Sequence, residues 1–380
     1  MKIRQQTFST QQDIQHLTPA FADISPALVI VFAAVDHLAR ADFLPGLRQL
    51  FPSSQLLGCS TAGEITAQGV DDGSCTITAI EFTNTAVRSA STVLSDMADS
   101  QAAGRRLGAA LAAPDLKAVL VFGPGVAING SALVDGMTDV LGQNIPITGG
   151  LAGDGGQFQR TLTLGEAGVS HQHVVAVGLC GSGLRFGHGS FGGWEPFGPA
   201  RKVTRCVGNM LYELDGEPAL AIYKRYLGEH AKGLPASGLL FPFAMLGDDH
   251  SAVGLIRTIL AVDEATGSLT LAGEIKADGY LKLMHASTEK LVNGAEAAAE
   301  AAADMLASES DQLAILVSCV GRKLVMGNRV DEEVEAVADV LGQQACLTGF
   351  YSYGEISPFT PGAACKLHNQ TMTITCLSEA

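Results

Sequence analysis

"SQLLGCSTAGEI", residues 54–65, places Cys59, Ser60 and Thr61 between Gly58 and Gly63 and ends on Glu64 and Ile65. Nucleophile types beside a carboxylate look like a catalytic loop. The arrangement recurs, however. "PITGGLAGD" (146–154) and "CLTGFYSYGE" (346–355) carry a glycine at the same distance from a helix-end leucine: Leu50 to Gly58, Leu141 to Gly149, Leu341 to Gly349. A catalytic centre occurs once, whereas this element is periodic. We read the three glycines as a strand-to-strand turn that needs positive φ or a close backbone approach. Cys59 also lacks the second glycine of a nucleophile elbow. Loops at strand ends of α/β units are nevertheless where ligands bind, so a pocket loop fits this reading.

The larger repeat extends on both sides. Apolar strands "LVIVF" (28–32), "AVLVF" (118–122) and "LAILVS" (313–318) each lead through a variable loop to an amphipathic helix. Leu133, Met137 and Val140 follow helical spacing in one copy, and Val334, Val337 and Leu341 in another. Gly142 and Gly342 stand at C-cap positions, and acids open the third helix, as its dipole favours. Alternating strands follow each glycine: "CTITAIEF", "HVVAVGL" and "QTMTITCL". Helical stretches near 100–113, 217–227 and 287–307 feed strands in a comparable order. The pattern predicts an α/β protein with mixed sheets. Two packed domains, 1–215 and 216–380, would be built from repeated strand–helix–strand units.

Composition narrows the function. Of 380 residues, 47% are hydrophobic and only 17% charged, which argues for a folded chain with a large core. The net charge of −15 argues against nucleic acid or an anionic membrane as partner. The longest apolar run, 27–35, is half a bilayer span, and the N-terminus has no secretory h-region. A soluble cytoplasmic protein is expected. Eight cysteines form no C-x-x-C and lie mostly in apolar contexts, as buried free thiols do. No nucleophile–base–orienter set can be assembled, so the chain reads as no enzyme.

"RFGHGSFGGWEPFG", residues 185–198, is the second unusual segment. Gly187, Gly189 and Gly192 match G-x-G-x-x-G, but Trp194, Pro196 and Pro199 follow where a dinucleotide fold needs a helix. Two readings of His188 stand. It sits in a hairpin or bulge and bonds a carbonyl, or it contacts a ligand as metal-binding and haem-binding imidazoles do. His171 and His173 share a solvated turn, and His285 and His368 are single histidines on strands. No zinc motif appears.

"LLGCSTAGEI", "PITGGLAGD", "GHGSFGGWEPFG", "VTRCVGNMLYELDGEPALAIYKRYLG", "GFYSYGEISP" and "LHNQTMTIT" together resemble the FIST family of bacterial sensory proteins, in family order across nearly the whole chain. The resemblance implies a cytoplasmic signal-input protein that binds a small ligand, with amino acids as the proposed class. A stand-alone chain of this length is also similar to the NosP-type haemoproteins. That likeness implies haem b, nitric oxide sensing and control of a partner histidine kinase or cyclic-di-GMP enzyme, with a homodimer left open. Under the haem reading, His188 is the expected iron ligand, with His285 and His368 as alternatives. Gly189 would let the macrocycle approach, Trp194 and Phe197 would supply apolar wall, and Arg185 would meet a propionate. Under the metabolite reading, a pocket forms from Glu355 and the backbone of Gly349, walled by Phe350, Tyr351 and Tyr353.

Overall fold

The computed structural model describes residues 1–9, 14–306, 312–358 and 364–379. The repeat takes the form of three copies of one unit. Unit one has β1 (Lys2–Ser9), β2 (Leu28–Ala33), β3 (Gln55–Ser60), a hairpin of β4 (Glu64–Thr66) and β5 (Gly69–Asp71), and β6 (Ser74–Glu81). Unit two repeats this with β7 (Ala86–Val93), β8 (Leu116–Gly123), β9 (Ile147–Leu151), the hairpin β10 (Thr163–Gly165) and β11 (Gly168–Ser170), and β12 (His173–Cys180).

Unit three opens with β13 (Leu184–Phe191) and is then interrupted by an accessory sheet. That sheet holds β14 (Glu195–Val207), β15 (Met210–Leu214), β16 (Glu217–Pro218), β17 (Phe243–Leu246), β18 (Ala252–Arg257), β19 (Ile259–Asp263), β20 (Ser268–Leu271) and β21 (Tyr280–His285). The unit resumes with β22 (Gln312–Cys319), β23 (Ala345–Ser352), the hairpin β24 (Gly354–Pro358) and β25 (Cys365–His368), and β26 (Met372–Glu379).

In each unit the first two core strands run parallel: β2 with β3, β8 with β9, β22 with β23. The closing strand then adds antiparallel, as β6, β12 or β26. The hairpin does not stay at home. β4 pairs with β23 of unit three, β10 with β3 of unit one, and β24 with β9 of unit two. Three six-stranded sheets are thereby linked in a ring.

Period-two alternation assigns the faces. Leu28, Ile30 and Phe32 of β2, Leu120 and Phe122 of β8, and Leu313, Ile315 and Val317 of β22 point inward to one shared core. Val29 and Val31 point outward beneath helix α1 (Phe43–Leu50). Val119 and Val121 lie beneath α2 (Ser100–Leu111) and α3 (Gly130–Leu141). Ala314 and Leu316 lie beneath α4 (Thr288–Asp304) and α5 (Asp331–Leu341). Strands buried on both faces are why these segments read as unbroken apolar runs.

The three glycines are equivalent, but they lie inside strands rather than at turns. Gly58, Gly149 and Gly349 stand opposite Val31, Val121 and Leu316 in the parallel register. A Cβ there would come within 2.1, 1.9 and 2.1 Å of those residues' carbonyl oxygens. Close backbone approach explains all three, and Gly149 alone also has a positive φ, +140°.

The helices correct one expectation. Stretches 100–113 and 287–307 are equivalent as α2 and α4, the end of the second lying outside the described residues. The helix at Ala219–Leu227 instead packs in the accessory core. Its place in unit one is taken by a 3₁₀ segment, Ile14–Phe21. The boundary expected at residue 215 falls within the accessory sheet, where β15 pairs with β14 on one side and β20 on the other.

Gly349→Ala should lower stability by about 2–4 kcal/mol, because its methyl meets backbone that cannot yield. Gly342→Ala has open space and only an unfavourable φ of +78°, so it should cost about 1 kcal/mol. Denaturant midpoints of the two variants measure the contrast. Equal small losses would show that the strand pair can spread.

Candidate ligand cleft

After β8 the chain runs through "PGVAING", 124–130, into α3. Asn129 caps the helix: its Oδ1 accepts from the Ala132 N–H at 3.1 Å. The loop is held tightly, since the Gly125 N–H donates to Thr161 Oγ1 at 2.8 Å and a Cβ there would meet the Ala152 carbonyl at 1.8 Å. Beside it Phe158 and Tyr353 stack with centroids 4.0 Å apart. The Tyr353 hydroxyl donates to the Asp154 carboxylate and accepts from the Gly156 N–H at 3.0 Å. Asp154 also accepts from the N–H groups of Phe158, Gln159 and Arg160, at 2.7–2.8 Å.

The accessory sheet supplies the opposite wall through Gly208–Asn209, residues 233–236 with Leu239, Ile259–Leu260 and residues 271–274. Between the walls lies a cavity of about 770 Å³. Its lining is mainly aliphatic and aromatic, with a few polar groups: Asn129, Gln157, Asn209, Glu274, Tyr353 and Asn369. It contains no His, Cys, Ser, Thr, Lys or Arg among the described residues. This is the composition of a small-molecule pocket.

Of the five pocket residues read from the sequence, Tyr353 alone lies on this cleft. Gly349 faces Leu316 across the strand pair, and Phe350 packs on Phe32 and Phe122 in the inner core, centroids 4.7 and 5.6 Å away. Tyr351 is fully buried, and its hydroxyl donates to Glu333. Glu333 pairs with Arg322 at 2.7 Å, both fully buried. Glu355 accepts from Ser352 Oγ at 2.6 Å and from the Thr371 N–H and hydroxyl at 3.1 and 3.0 Å. Burial pushes it up to about 7. Glu64 is its counterpart. It accepts from the Thr61 hydroxyl and from the Ser74 N–H and hydroxyl at 2.9 and 2.7 Å, and burial again pushes it to about 7. The shared G-x-x-x-x-G-E pattern is thus a lock at the hairpin crossing.

The loop nucleophiles serve the same frame. Cys59 is fully buried, with its thiol pushed up by burial and by Glu64. Ser60 Oγ donates to the Gly153 carbonyl at 2.6 Å and accepts from the Leu162 N–H at 2.8 Å.

The glycine–histidine stretch forms the seat of α4. Added Cβ atoms at Gly187, Gly189 and Gly193 would reach the carbonyls of Ala302, Ala298 and Lys290 within 2.2, 2.0 and 2.0 Å. Two strand residues and one helical turn have similar rise, so the small residues track the helix. His188 points to the other face, 4% exposed, with burial lowering its pKa and its Nδ1 unpartnered. Trp194 donates its indole N–H to the Gln370 carbonyl at 2.7 Å. Phe197 is 38% exposed beside His285, ring centroids 5.8 Å apart, and Arg185 is exposed. His368 Nε2 lies 2.9 Å from the Ser357 carbonyl. A porphyrin needs a flat space beside its iron ligand. The space at Gly189 is filled by α4, and none of these residues lines the 770 Å³ cavity. They do not fit that group.

The cleft escaped sequence reading because its walls come from distant segments with no shared period. Phe158 stood in no motif, Asn369 stood in "LHNQTMTIT" with no ligand role attached, and the accessory segments gave no pocket signal.

Residues 27–217 match the FIST N domain, and residues 219–358 match the FIST C domain. The chain belongs to the FIST family. FIST domains are sensory domains of signal transduction, and this FIST protein has the α/β architecture with mixed sheets that its repeats imply. It is 27% identical over 224 residues to uncharacterized protein MJ1623 of Methanocaldococcus jannaschii, covering 54% of this chain and 41% of that protein. The FIST chain therefore spans less than half the length of that relative. A crystal structure of cyanuric acid hydrolase from A. caulinodans aligns over 99% of each chain with TM-score 0.39 and 12% identity, too distant to bear on fold or activity. Among the described residues, no helix of the FIST protein is long and apolar enough to cross a membrane.

The Glu355 lock gives a pH signature. The folded chain keeps this proton to about pH 7, whereas an ordinary glutamate releases it near 4.5. The folded state binds more protons in that window, so stability falls as pH rises through it. His368 acts oppositely, since burial lowers it from 6.5 to about 4 and stability from that source rises with pH. Glu355→Gln separates the two. Relative to wild type, the variant should gain on the order of 3 kcal/mol between pH 4.5 and 7.5. Urea unfolding at each pH measures this, and a constant difference would mean that Glu355 titrates normally.

Proposed function

We propose that this FIST protein is a sensor whose ligand is a small metabolite, such as an amino acid or a larger relative, held in the cleft between the ring and the accessory sheet. The observation that carries this reading is the dual origin of the walls. One side is built from the loop after β8 with the Phe158–Tyr353 pair, and the other from strands and turns of the accessory sheet. A molecule touching both favours one relative position of the two bodies. A partner that contacts them can read that shift in population. The partner classes remain a histidine kinase or a cyclic-di-GMP enzyme. A lining of apolar groups with scattered amides suits retention of a ligand rather than its conversion.

The test is a metabolite screen on the full chain, with affinities by calorimetry. Leu260 and Leu324 lie on the cleft and are 44% and 51% exposed, so arginine at either position should cost little folding stability. Each variant should weaken the bound metabolite about tenfold or more while the melting temperature moves by only about 2 °C. Saturable binding unaffected by both substitutions would remove the ligand from this cleft. A haemin titration runs beside it. A sharp, saturable Soret band at one haem per chain, lost in His188→Ala, would return the function to the haem and nitric oxide reading.

A further inference from the structure

One buried cation has no salt bridge among the described residues, although the charge of Glu274 acts on it from farther off. Arg257, at the end of β18, is 4% exposed. Its Nε donates to the Glu274 carbonyl at 3.2 Å, and its Nη1 to the carbonyls of Ile256 at 3.1 Å and Leu367 at 3.5 Å. Among the described residues Nη2 has no partner, and no carboxylate lies within ion-pair distance. Burial pulls Arg257 down to about 10, which leaves it charged at neutral pH. The other deeply buried arginine, Arg322, has Glu333. A guanidinium satisfied only by carbonyls keeps most of its desolvation cost, which an arriving anion would offset.

Its position is the second observation. Glu274 and Leu367, whose carbonyls it holds, both line the cleft, and so does Gly273. A Cβ on Gly273 would fall 2.7 Å from Arg257 Nε and 2.9 Å from Cζ, so only glycine backbone covers the guanidinium there. Two residues beyond Leu367, Asn369 also lines the cleft. It is 2% exposed, and among the described residues its side-chain amide has no hydrogen-bond partner; Oδ1 is buried. Buried amides are normally satisfied, so this one awaits a partner.

We propose that the Gly273–Asn369 end of the cleft is an anion subsite, in which Arg257 and Asn369 receive the carboxylate of an otherwise largely apolar ligand. The proposal rests on the metabolite reading of the same cleft and adds the ligand's chemical class. No lysine or arginine stands on the lining itself; Arg257 lies directly behind Gly273, Glu274 and Leu367, and this one cation, with Glu274 beside it, matches a single negative charge better than a phosphate. The aliphatic and aromatic walls take the remainder of the molecule. The planar fork of arginine meets the two oxygens of a carboxylate, and the Asn369 amide, turned to present its N–H₂ where Oδ1 now stands, adds a neutral donor.

The experiment compares acids with neutral isosteres on the full chain by calorimetry: hexanoate with hexanamide, 4-phenylbutyrate with 4-phenylbutyramide, and phenethyl phosphate as the dianionic arm. Wild type should prefer acid over amide by about tenfold or more. Arg257→Gln should bring that ratio near one while amide affinity is kept, a comparison that controls for misfolding. Asn369→Ala leaves the bonds of Arg257 intact and should cost the acids about fivefold. Amides binding as well as acids, with Leu260→Arg abolishing both, would overturn the anion subsite while the cleft reading stands. Tighter binding of the phosphate ester would overturn the carboxylate assignment. Absence of binding by every compound in the series would count against both readings.

Discussion

No unit of the ring can complete its own sheet. Each lends its hairpin to a neighbour and borrows one in return, so the hydrogen bonds that finish a sheet come from more than a hundred residues away. Ile65 of unit one pairs with Gly349 of unit three, and Ile356 of unit three pairs with Gly149 of unit two. Such non-local pairing makes the three sheets one cooperative object. It also dictates the glycines. The second strand of each parallel pair is where the chain leaves its own sheet for the next, and a side chain there would strike the neighbouring carbonyl. The residues after each glycine are therefore occupied with the crossing. Reactive side chains placed among them serve as donors and acceptors for backbone that would otherwise be stranded.

The crossings account for most of the buried polar chemistry. Glu64 and Glu355 each gather one hydroxyl from three residues earlier and two donors from the start of the closing strand. Unit two uses Asp154, which gathers three backbone N–H groups and the hydroxyl of Tyr353 from unit three. Arg322 ties the start of α4 and the turn at Gly192 to Glu333 on α5. These groups specify one way of threading the ring. Removing one member of such a set leaves a buried partner unsatisfied, which costs more than the contact itself.

Sequence reading recovered what is periodic. The three parallel strands, their glycines, their closing strands and the C-caps at Gly142 and Gly342 all stood in register, because each satisfies the same local geometry three times. It mistook the glycines for turns, since a turn and a close strand approach select the same residue. Which sheet a hairpin joins leaves no local mark, so the exchange was invisible. The same limit hid the cleft. Phe350, Tyr351 and Tyr353 are neighbours in sequence with similar chemistry, yet strand alternation and the crossing send them to the inner core, the Glu333 lock and the cleft. The G-H-G spacing of residues 187–189 had a packing cause, the seat of α4, and its helix partner lies a hundred residues downstream.

A frame with three equivalent units offers three equivalent sets of strand ends, and only one of them becomes the 770 Å³ cleft. The difference lies in the accessory sheet, inserted in unit three between β13 and α4, which brings a second wall over the loop that follows β8. The insertion contributes Arg257, the ring contributes Asn369, and each is poorly satisfied by the body it belongs to. Symmetry fixes the frame and relieves it of any need for those two residues. They are intelligible through what the two bodies do together, where a charged group and an idle amide stand at one end of an apolar cleft.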